Sequence, residues 1–329
     1  EKFVIENNLM CGTGDALFDF IAQCIINFLQ KIGISAANEL DLGFTFSFPV
    51  EQTGIAKGKL IAWTKGFNAT GVVGEDVVEL LKNALIRKKI SSVKIVALIN
   101  DTVGTLVSKS YSNNLCDMGV ILGTGTNACY PEKDGMIINM EWGNFSKLRQ
   151  TTYDIDLDKN SQNPGFHFLE KMVSGMYLGE LTRRILLDMK GCDTFSKEYS
   201  FKTEHMSSVA SGDFGILTEL GLKNVSETDK ENLKRICEII SLRSARISAM
   251  AIASVVTWMD PTLKNSHLVG IDGSLFEGYP GFKKNIVDVF RNMFGNKSGK
   301  ITLDIAKDGS GMGAAITAAI ASSNKDFQQ

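Results

Sequence analysis

Asn100 and Asp101 stand where an apolar stretch of the chain stops abruptly. The seven residues before them, 93–99, contain no glycine or proline and are mostly aliphatic, which is typical of a strand buried on both faces. In open α/β sheets, ligands bind outside the carboxyl ends of the strands, so Asp101 is a carboxylate placed where a ligand would lie. The alternative is that both residues only form a turn or cap the next helix.

Three glycine-rich segments also follow predicted strands, at residues 123–127, at Gly273-Ser274 and at residues 308–315. Small residues at a strand end expose backbone N–H groups and hydroxyls, which suits the oxygens of a phosphate. One such segment is ordinary, but three of them beside the strand that ends at Asp101 indicate a nucleotide cleft. The chain has neither the lysine of a Walker P-loop nor a G-x-G-x-x-G pattern here.

Two other charged residues can each be interpreted in two ways. Lys65 precedes Gly66 and is either an ordinary loop charge or a group that contacts a ligand. Glu170 lies among apolar residues of a predicted helix, so it either points toward an interior or belongs to a solvated face.

The hydrophobic periodicity predicts an α/β protein in which strands and helices alternate. Residues 42–48 alternate strictly, so their aromatic side chains should face the core and the small hydroxyl residues the opposite side. The predicted helices cover residues 15–30, about 74–89, 163–189, 228–258 and 283–294, with a further helix after Thr102 and one entered from 308–315. The predicted strands cover residues 42–48, 60–63, 93–99, 118–122, 136–140, 268–272 and 301–305, and residues 191–227 are predicted to form a surface excursion.

Composition excludes several classes of function. The 329 residues suffice for two lobes, and a net charge of −2 gives no electrostatic reason to expect nucleic acid. The longest apolar stretch, 247–259, is too short and too rich in Ser and Ala to span a bilayer, and no secretory signal opens the chain. Six cysteines without C-x-x-C spacing and three histidines argue against zinc and are typical of reduced thiols in a cytoplasmic protein.

The chain resembles the eukaryotic-type hexokinases. The similar stretches follow the order of that family across nearly the whole chain, which makes a chance match very improbable. They are Gly43-Phe-Thr-Phe-Ser-Phe-Pro49, Trp63-Thr-Lys-Gly-Phe67, Asn100-Asp-Thr102, Ile121-Leu-Gly-Thr-Gly-Thr-Asn-Ala128, Asn139-Met-Glu-Trp-Gly143, Glu170-Lys-Met-Val-Ser-Gly-Met-Tyr-Leu-Gly179, Gly270-Ile-Asp-Gly-Ser274 and Asp308-Gly-Ser-Gly311.

The resemblance implies a two-lobed, actin-like ATPase fold of the ribonuclease-H type and ATP-dependent phosphorylation of the 6-hydroxyl of glucose and similar hexoses. It implies that Asp101 is the catalytic base, that Lys65 offsets negative charge, and that Mg²⁺ accompanies ATP. The sugar would be bound by Ser47, Phe48, Thr64, Lys65, Asn100, Asp101, Asn127, Glu141 and Glu170. The nucleotide would be bound by Thr124, Gly125, Gly273, Ser274 and Ser310.

The resemblance also predicts how the chain is divided. The small lobe would comprise residues 1–99, with the C-terminal helix of about 311–329 returning to it, and the large lobe residues 100–310. The two lobes would close over the sugar. The sequence leaves open whether the protein forms a homodimer.

One departure from the family concerns the start of the chain. Hexokinases carry an early Leu-Asp-Leu-Gly-Gly-Thr turn that cradles the ATP phosphates, and residues 1–43 contain no such turn. We therefore expect these 329 residues alone to show little or no activity, and the whole protein to which they belong to be active. The alternative function is a glucose-binding regulator on the same fold that has lost catalysis.

Overall fold

The computed structural model describes residues 1–35, 38–190, 195–222 and 224–324. The chain forms two compact units. One runs from Glu1 to Ser112 and includes the segment that starts at Asp308, and the other runs from Asn113 to Lys307.

Helices and strands alternate along both units. The helices are α1 (Asn7–Met10), α2 (Gly14–Lys31), α3 (Val77–Arg87), α4 (Asp101–Ser112), α5 (Thr152–Lys159), α6 (Phe168–Val173), α7 (Gly175–Lys190), α8 (Thr203–Ala210), α9 (Gly215–Glu219), α10 (Glu227–Met259), α11 (Ser274–Gly278), α12 (Phe282–Phe294) and α13 (Gly309–Ser323). The strands are β1 (Leu40–Thr45), β2 (Val50–Gly54), β3 (Lys57–Leu60), β4 (Val93–Ile99), β5 (Cys116–Leu122), β6 (Thr126–Pro131), β7 (Ile137–Asn139), β8 (His267–Asp272) and β9 (Ile301–Ile305). Short 3₁₀ turns cover Trp142–Asn144 and Gly295–Lys300.

The first unit is built on two small pairs of strands. β1 and β4 are parallel, with Leu40 opposite Val93, and β2 and β3 form an antiparallel hairpin. Helices α2 and α3 pack against each other beside these strands. The predicted aromatic core face is confirmed, because Phe46 is buried and Phe44 and Phe48 pack half-buried against the same core. The largest fully buried side chains of this core are Phe18, Leu17, Leu60, Leu81 and Leu85.

Two strands of this unit end earlier than the sequence predicts. The strand expected at residues 42–48 ends at Thr45, and the one expected at residues 60–63 ends at Leu60. In each case the partner strand runs out at that register position, because Thr45 lies opposite the last residue of β4 and Leu60 opposite the first residue of β2. The following residues therefore lie in loops, and they include Ser47, Phe48, Thr64 and Lys65.

Helix α13 lies so close to β1 and α4 that side chains are excluded at the contact. A Cβ atom at Gly313 would overlap the carbonyl oxygen of Gly104, and one at Gly43 would overlap that of Ala314. A Cβ atom at Gly104 would itself lie 2.9 Å from the Cα of Ser310. The small residues of α13 therefore allow its backbone to pack directly against the backbone of its neighbours.

The sequence predicts that the small lobe ends at residue 99 and that its returning helix begins at about residue 311. The first compact unit continues to Ser112 and so includes α4, which begins at Asp101. Helix α13 belongs to the same unit, starts at Gly309 and is described as far as Ser323. Of the predicted helix over 311–329, residues 325–329 lie outside the described residues.

A five-stranded mixed sheet forms the centre of the second unit, with the strand order β7-β6-β5-β8-β9. β8 is parallel to both β5 and β9, whereas β6 is antiparallel to both β5 and β7. β6 was not predicted, and neither was α5. The predicted excursion over 191–227 contains α8 and α9 within its described part.

Helix α10 contacts α12 and helices α6 to α8, and its buried face includes Ala245, Ala249, Ile252 and Val256. By length and composition alone, it is the one helix in the described residues that could cross a membrane. The apolar window concerned is 61% buried inside the protein, and buried core helices commonly meet these two criteria.

The prediction of a single helix over residues 163–189 is wrong, because the chain forms the two helices α6 and α7 there. Between them Ser174 has an extended backbone with ψ of 155°. The N–H of Gly175 donates to the carbonyl oxygen of Gly123 at 2.8 Å and so bonds to a neighbouring loop instead of continuing the helix. A Cβ atom at Gly175 would lie only 3.0 Å from that oxygen, so glycine permits the close approach.

Because α13 and α4 are in direct backbone contact, one added methyl group there should lower the stability of the protein. Gly313→Ala should lower the free energy of unfolding by about 1–3 kcal/mol, because an overpacked contact forces the two backbones apart. Gly299→Ala is the matched control, since a Cβ atom there has no neighbour within 4 Å. Denaturant unfolding of both variants checks the prediction, and equal stability of the two would contradict it.

Candidate active site

Asn100 and Asp101 join β4 to α4. Asn100 caps the helix, since its side-chain oxygen accepts hydrogen bonds from the N–H of Thr102 at 3.0 Å and from the hydroxyl of Thr102 at 2.8 Å. The Oδ1 atom of Asp101 also accepts from the N–H of Thr102, at 2.9 Å. The second oxygen of Asp101, Oδ2, instead faces Lys65. Asn100 is therefore the residue that caps α4. The Oδ2 atom of Asp101 takes no part in the cap and is directed at a charged side chain.

Lys65 is held by three independent contacts. Its Nζ atom donates to the carbonyl oxygen of Ser47 at 2.8 Å, lies 3.9 Å from Asp101 Oδ2 and sits 5.7 Å from the ring centre of Phe48. The ring of Phe48 packs edge-on against Trp63. Lys65 is therefore an ordered ammonium beside a carboxylate and not a freely solvated loop charge.

The other predicted residues of the first unit use mainly their backbones. The carbonyl oxygen of Thr64 accepts from the N–H of Phe67, which forms the turn that carries Lys65. The carbonyl oxygen of Ser310 accepts from the hydroxyl of Thr45 at 3.0 Å. Ser310 therefore lies at the first turn of α13, next to the end of β1.

Glu170 of α6 is buried in the second unit, which confirms that it points to an interior. Only 7% of the residue is exposed, and its Oε2 atom accepts a hydrogen bond from the N–H of Thr126 at 3.0 Å. The hydroxyl of Thr126 accepts from the indole N–H of Trp142 at 3.0 Å. A Cβ atom at Gly143 would lie 3.3 Å from the Cβ of Glu170, so this turn packs tightly against the glutamate.

Asn127 and Glu141 lie together in the same unit, and the structure adds Asn139 to them. The Oε1 atom of Glu141 accepts hydrogen bonds from the side-chain amides of Asn127 at 2.9 Å and of Asn139 at 3.0 Å. The sequence reasoning did not assign Asn139, although its spacing of two from Glu141 at a strand end was an available signal.

Lys65 and Glu141 also share an uncommon backbone conformation. Their φ angles are +56° and +49°, in the left-handed region that L-residues rarely occupy. Such conformations cost of order 1–3 kcal/mol each and cluster at binding sites, where the surrounding structure holds them. This observation supports a functional role for both side chains.

The loop at residues 123–125 is fixed by main-chain hydrogen bonds. Met176 N–H donates to the carbonyl oxygen of Thr124 at 3.2 Å, and the N–H of Gly123 donates to that of Gly125 at 3.1 Å. Gly273 lies against this loop with a φ of +130°, and a Cβ atom there would overlap the carbonyl oxygen of Leu122. Only glycine fits at residue 273, and Ser274 then begins α11.

A cavity of about 550 Å³ opens beside this loop within the second unit. It brings together the predicted residues Thr124 and Ser274. The sequence reasoning missed the rest of its wall, which includes Gly175, Met176, Tyr199, Phe201, Lys202, Thr203, Ser207 and Tyr279.

Thr203 connects one wall of this cavity to the start of α7. Its hydroxyl donates to the carbonyl oxygen of Gly175 at 2.6 Å and accepts from the N–H of Gly179 at 3.0 Å. The 199–207 segment carries no glycine or charge pattern that would have marked it in the sequence. Only the tertiary structure brings this segment next to Thr124 and Ser274.

Metal-binding side chains do not converge in the part of the chain that the structure describes, where no group of three or more His, Cys, Asp or Glu residues could hold an ion. The described cysteines are free thiols, and Cys192 lies outside the described residues. Burial raises the pKa of the Cys237 thiol to about 12, so that thiol stays protonated near neutral pH.

Comparison with known proteins decides the family. Two domain models that describe hexokinases match the chain, one over residues 1–111 and the other over residues 117–320. The chain belongs to the hexokinase family. This confirms the identification made from the motifs and marks the protein as a kinase.

Individual hexokinases resemble nearly the whole chain. Hexokinase-1 of Schizosaccharomyces pombe is 38% identical, over 98% of this chain and 74% of that protein. Human hexokinase HKDC1 is also 38% identical, over 97% of this chain but only 38% of that protein. The solved structure of a Schistosoma mansoni hexokinase complexed with glucose is 34% identical, covers 97% of this chain and 78% of that one, and superimposes with a TM-score of 0.89. The likeness confirms the predicted α/β fold of the actin-like ATPase class.

The hydrogen bond between Glu170 and Thr126 yields a structural prediction. Glu170→Ala should cost about 1–3 kcal/mol of unfolding free energy, because it leaves a buried N–H without its acceptor. Glu170→Gln is the matched variant and should cost less, since its amide oxygen can still accept. Denaturant unfolding and hydrogen exchange of the Thr126 amide test this, and unchanged exchange in Glu170→Ala would contradict it.

Proposed function

We propose that the protein transfers the terminal phosphoryl group of ATP to the 6-hydroxyl of glucose and related hexoses, and releases hexose 6-phosphate and ADP. The observation that carries the proposal is the Asp101 carboxylate at the end of β4. One of its oxygens is fixed by Thr102, and the other faces the Lys65 ammonium. Membership of the hexokinase family supplies the reaction class.

Asp101 is proposed as the general base. A sugar hydroxyl has a very high pKa, so a carboxylate need only accept its proton while the bond to phosphorus forms. Because Thr102 holds Oδ1, the Oδ2 atom is the one available to the hydroxyl in this geometry. Lys65 lies close enough to offset the negative charge that develops on the sugar oxygen.

The remaining polar residues are proposed to bind the other hydroxyls of the sugar. Each sugar hydroxyl is both a donor and an acceptor, which carboxylates and amides can satisfy in a fixed geometry. The Glu141 carboxylate is already oriented by the amides of Asn127 and Asn139, so little reorganisation is needed on binding. The proposal includes Ser47, Phe48, Thr64, Asn100 and Glu170 among the sugar-binding residues.

ATP is proposed to bind at the loop of residues 123–125 and in the adjoining cavity. Thr124, Gly125, Gly273 and Ser274 present hydroxyls and main-chain amides suited to phosphate oxygens, and Ser310 is assigned to the nucleotide by the resemblance. The cavity of about 550 Å³ has tyrosine and phenylalanine on its wall and is of a size usual for small-molecule sites.

Mg²⁺ fits this arrangement as a companion of ATP. Magnesium keeps several of its waters and binds mainly through substrate phosphates, and Thr124, Gly125, Gly273 and Ser274 offer hydroxyls and amides to those phosphates. Its chemistry would be to neutralise charge on the phosphates. The positioning of the nucleotide falls to Thr124, Gly125 and Ser274.

The proposed base gives a direct kinetic prediction. In the whole protein, Asp101→Ala should lower kcat by a factor of at least about 10², typical of the loss of a general base, while glucose binding weakens only moderately. Asp76→Ala is a control that removes a helix-capping carboxylate from α3 of the same unit and should leave kcat nearly unchanged. A coupled phosphorylation assay together with glucose calorimetry measures both quantities. An unchanged kcat in Asp101→Ala would remove this residue from the mechanism. Glucose binding without turnover by the unsubstituted whole protein would favour the regulator.

The nucleotide cavity predicts a selective effect on ATP. Ser207→Phe should raise the KM for ATP by at least about tenfold, because the ring would occupy the cavity that Ser207 lines. Ser211→Phe, at the exposed end of α8, is the control and should leave both KM values unchanged. A rise in the KM for glucose alone, or no change in Ser207→Phe, would contradict the assignment of the cavity to ATP.

A further inference from the structure

Lys171 is a buried lysine directly after Glu170 that the proposed chemistry does not use. Only 4% of the residue is exposed. Its Nζ atom donates three hydrogen bonds, to Asp158 Oδ1 at 2.6 Å and to the carbonyl oxygens of Asn163 and Phe166 at 2.8 Å each. These three bonds account for all the protons of the ammonium.

Asp158 accepts hydrogen bonds from the same loop that Lys171 holds. Its two carboxylate oxygens lie 3.1 and 3.0 Å from the N–H of Gly165, which donates to them. Asp158 belongs to α5, whereas Lys171 belongs to α6. The pair therefore clamps the connection 160–167 between these two helices from both sides.

The clamped connection ends at His167, immediately before α6. His167 has a φ of +56°, a conformation that persists only when the surroundings hold it. Its N–H donates to the side-chain oxygen of Asn144 at 2.9 Å, and the N–H of Leu169 donates to the carbonyl oxygen of Phe145 at 3.2 Å. The start of α6 is thereby tied to the segment that follows Glu141.

We propose that Lys171 and Asp158 are positioning residues, which set the place of the Glu170 carboxylate by clamping the connection that begins α6. The inference rests on the proposed function, in which Glu170 binds the sugar. Lys171 does not touch the sugar in this account. It acts through the backbone of α6, which carries Glu170 one residue before it.

A purely structural role would give a different signature. Removing one partner of a buried ion pair leaves an unpaired charge and usually destabilises the fold, so a loss of stability alone would not identify the clamp. Three charge-assisted hydrogen bonds also fix the geometry of the groups they join. The effect that identifies the clamp is therefore a loss of sugar affinity that breaking another buried ion pair in the same unit does not cause.

The titration of Lys171 gives a second, independent signature. Burial lowers the pKa of Lys171, and the neighbouring charges of Asp158 and Glu170 oppose this in part. The third titratable group nearby, Tyr177 of α7, has its pKa raised by burial and by Glu170, so it stays neutral. As the pH rises, Lys171 therefore loses its proton earlier than an exposed lysine would. The neutral amine has only two N–H donors for its three acceptors and is no longer attracted to Asp158 as an ion, so the clamp weakens and the KM for glucose should rise.

The test compares Lys171→Met, Asp158→Asn and Arg243→Met in the full protein. Arg243 is the matched control, because its guanidinium forms a bidentate pair with the buried Asp154 in the same unit but does not hold the α6 connection. Both clamp variants should raise the KM for glucose by about tenfold or more, with a smaller change in kcat and an unchanged KM for ATP. Arg243→Met should leave both KM values unchanged. Asp158→Asn should also shift the alkaline rise in the KM for glucose to lower pH, and Lys171→Arg should restore part of the affinity.

Each outcome decides the matter. If Lys171→Met does not fold, the pH profiles of Asp158→Asn and of the parent protein carry the test. Unchanged KM for glucose in both clamp variants, or equal increases in the KM values for glucose and ATP, would overturn the inference while the proposed function stands. Failure of the parent protein to bind glucose by calorimetry would overturn the proposed function, and this inference with it.

Discussion

The first unit depends on the contact between α4 and α13, where Gly104 and Gly313 let two helix backbones touch. Asp101 opens α4 and Ser310 lies in the first turn of α13, so this contact places both residues. A proposed catalytic base on the first turn of a packed helix is held more rigidly than one on a free loop. The same contact explains why residue 313 is a glycine, in a segment whose small residues the sequence alone attributes to phosphate binding.

The second unit depends on the interruption between α6 and α7. There the N–H groups of Gly175 and Met176 donate hydrogen bonds to the loop of residues 123–125 instead of to carbonyl groups of α6. The N–H of Thr126, the residue directly after that loop, donates to the carboxylate of Glu170. The proposed nucleotide loop and the residue that binds the proposed sugar carboxylate are thus consecutive in the chain, and both are bonded to the region of α6 and α7. The clamp formed by Lys171 and Asp158 fixes the other end of α6.

Local patterns were enough to predict the parts of the fold that rest on local interactions. β4 and β8 are short apolar runs with polar ends, and α10 and α12 have helical periodicity, so their existence follows from the sequence. β6 was missed because Thr126–Pro131 neither alternates nor forms an aliphatic run. The break at Ser174 was missed because its cause, the loop at residue 123, lies far away in the sequence. For the same reason, no local signal marked the cavity wall at residues 199–207 or the acceptors of Lys171.

In the candidate site, too, some residues carried a local signal in the sequence and others did not. Asp101, Lys65 and Glu170 could be selected by residue type and by their place at element ends, whereas their partners could not, because Thr102, Ser47 and Thr126 contribute backbone atoms.

The central claim is that the Asp101 carboxylate takes the proton of the reacting hydroxyl. A crystal structure of the protein with bound glucose tests it most directly. The account predicts the 6-hydroxyl oxygen within about 3.2 Å of Asp101 Oδ2, and a glucose whose 6-hydroxyl lies beyond hydrogen-bond reach of both Asp101 oxygens would contradict it.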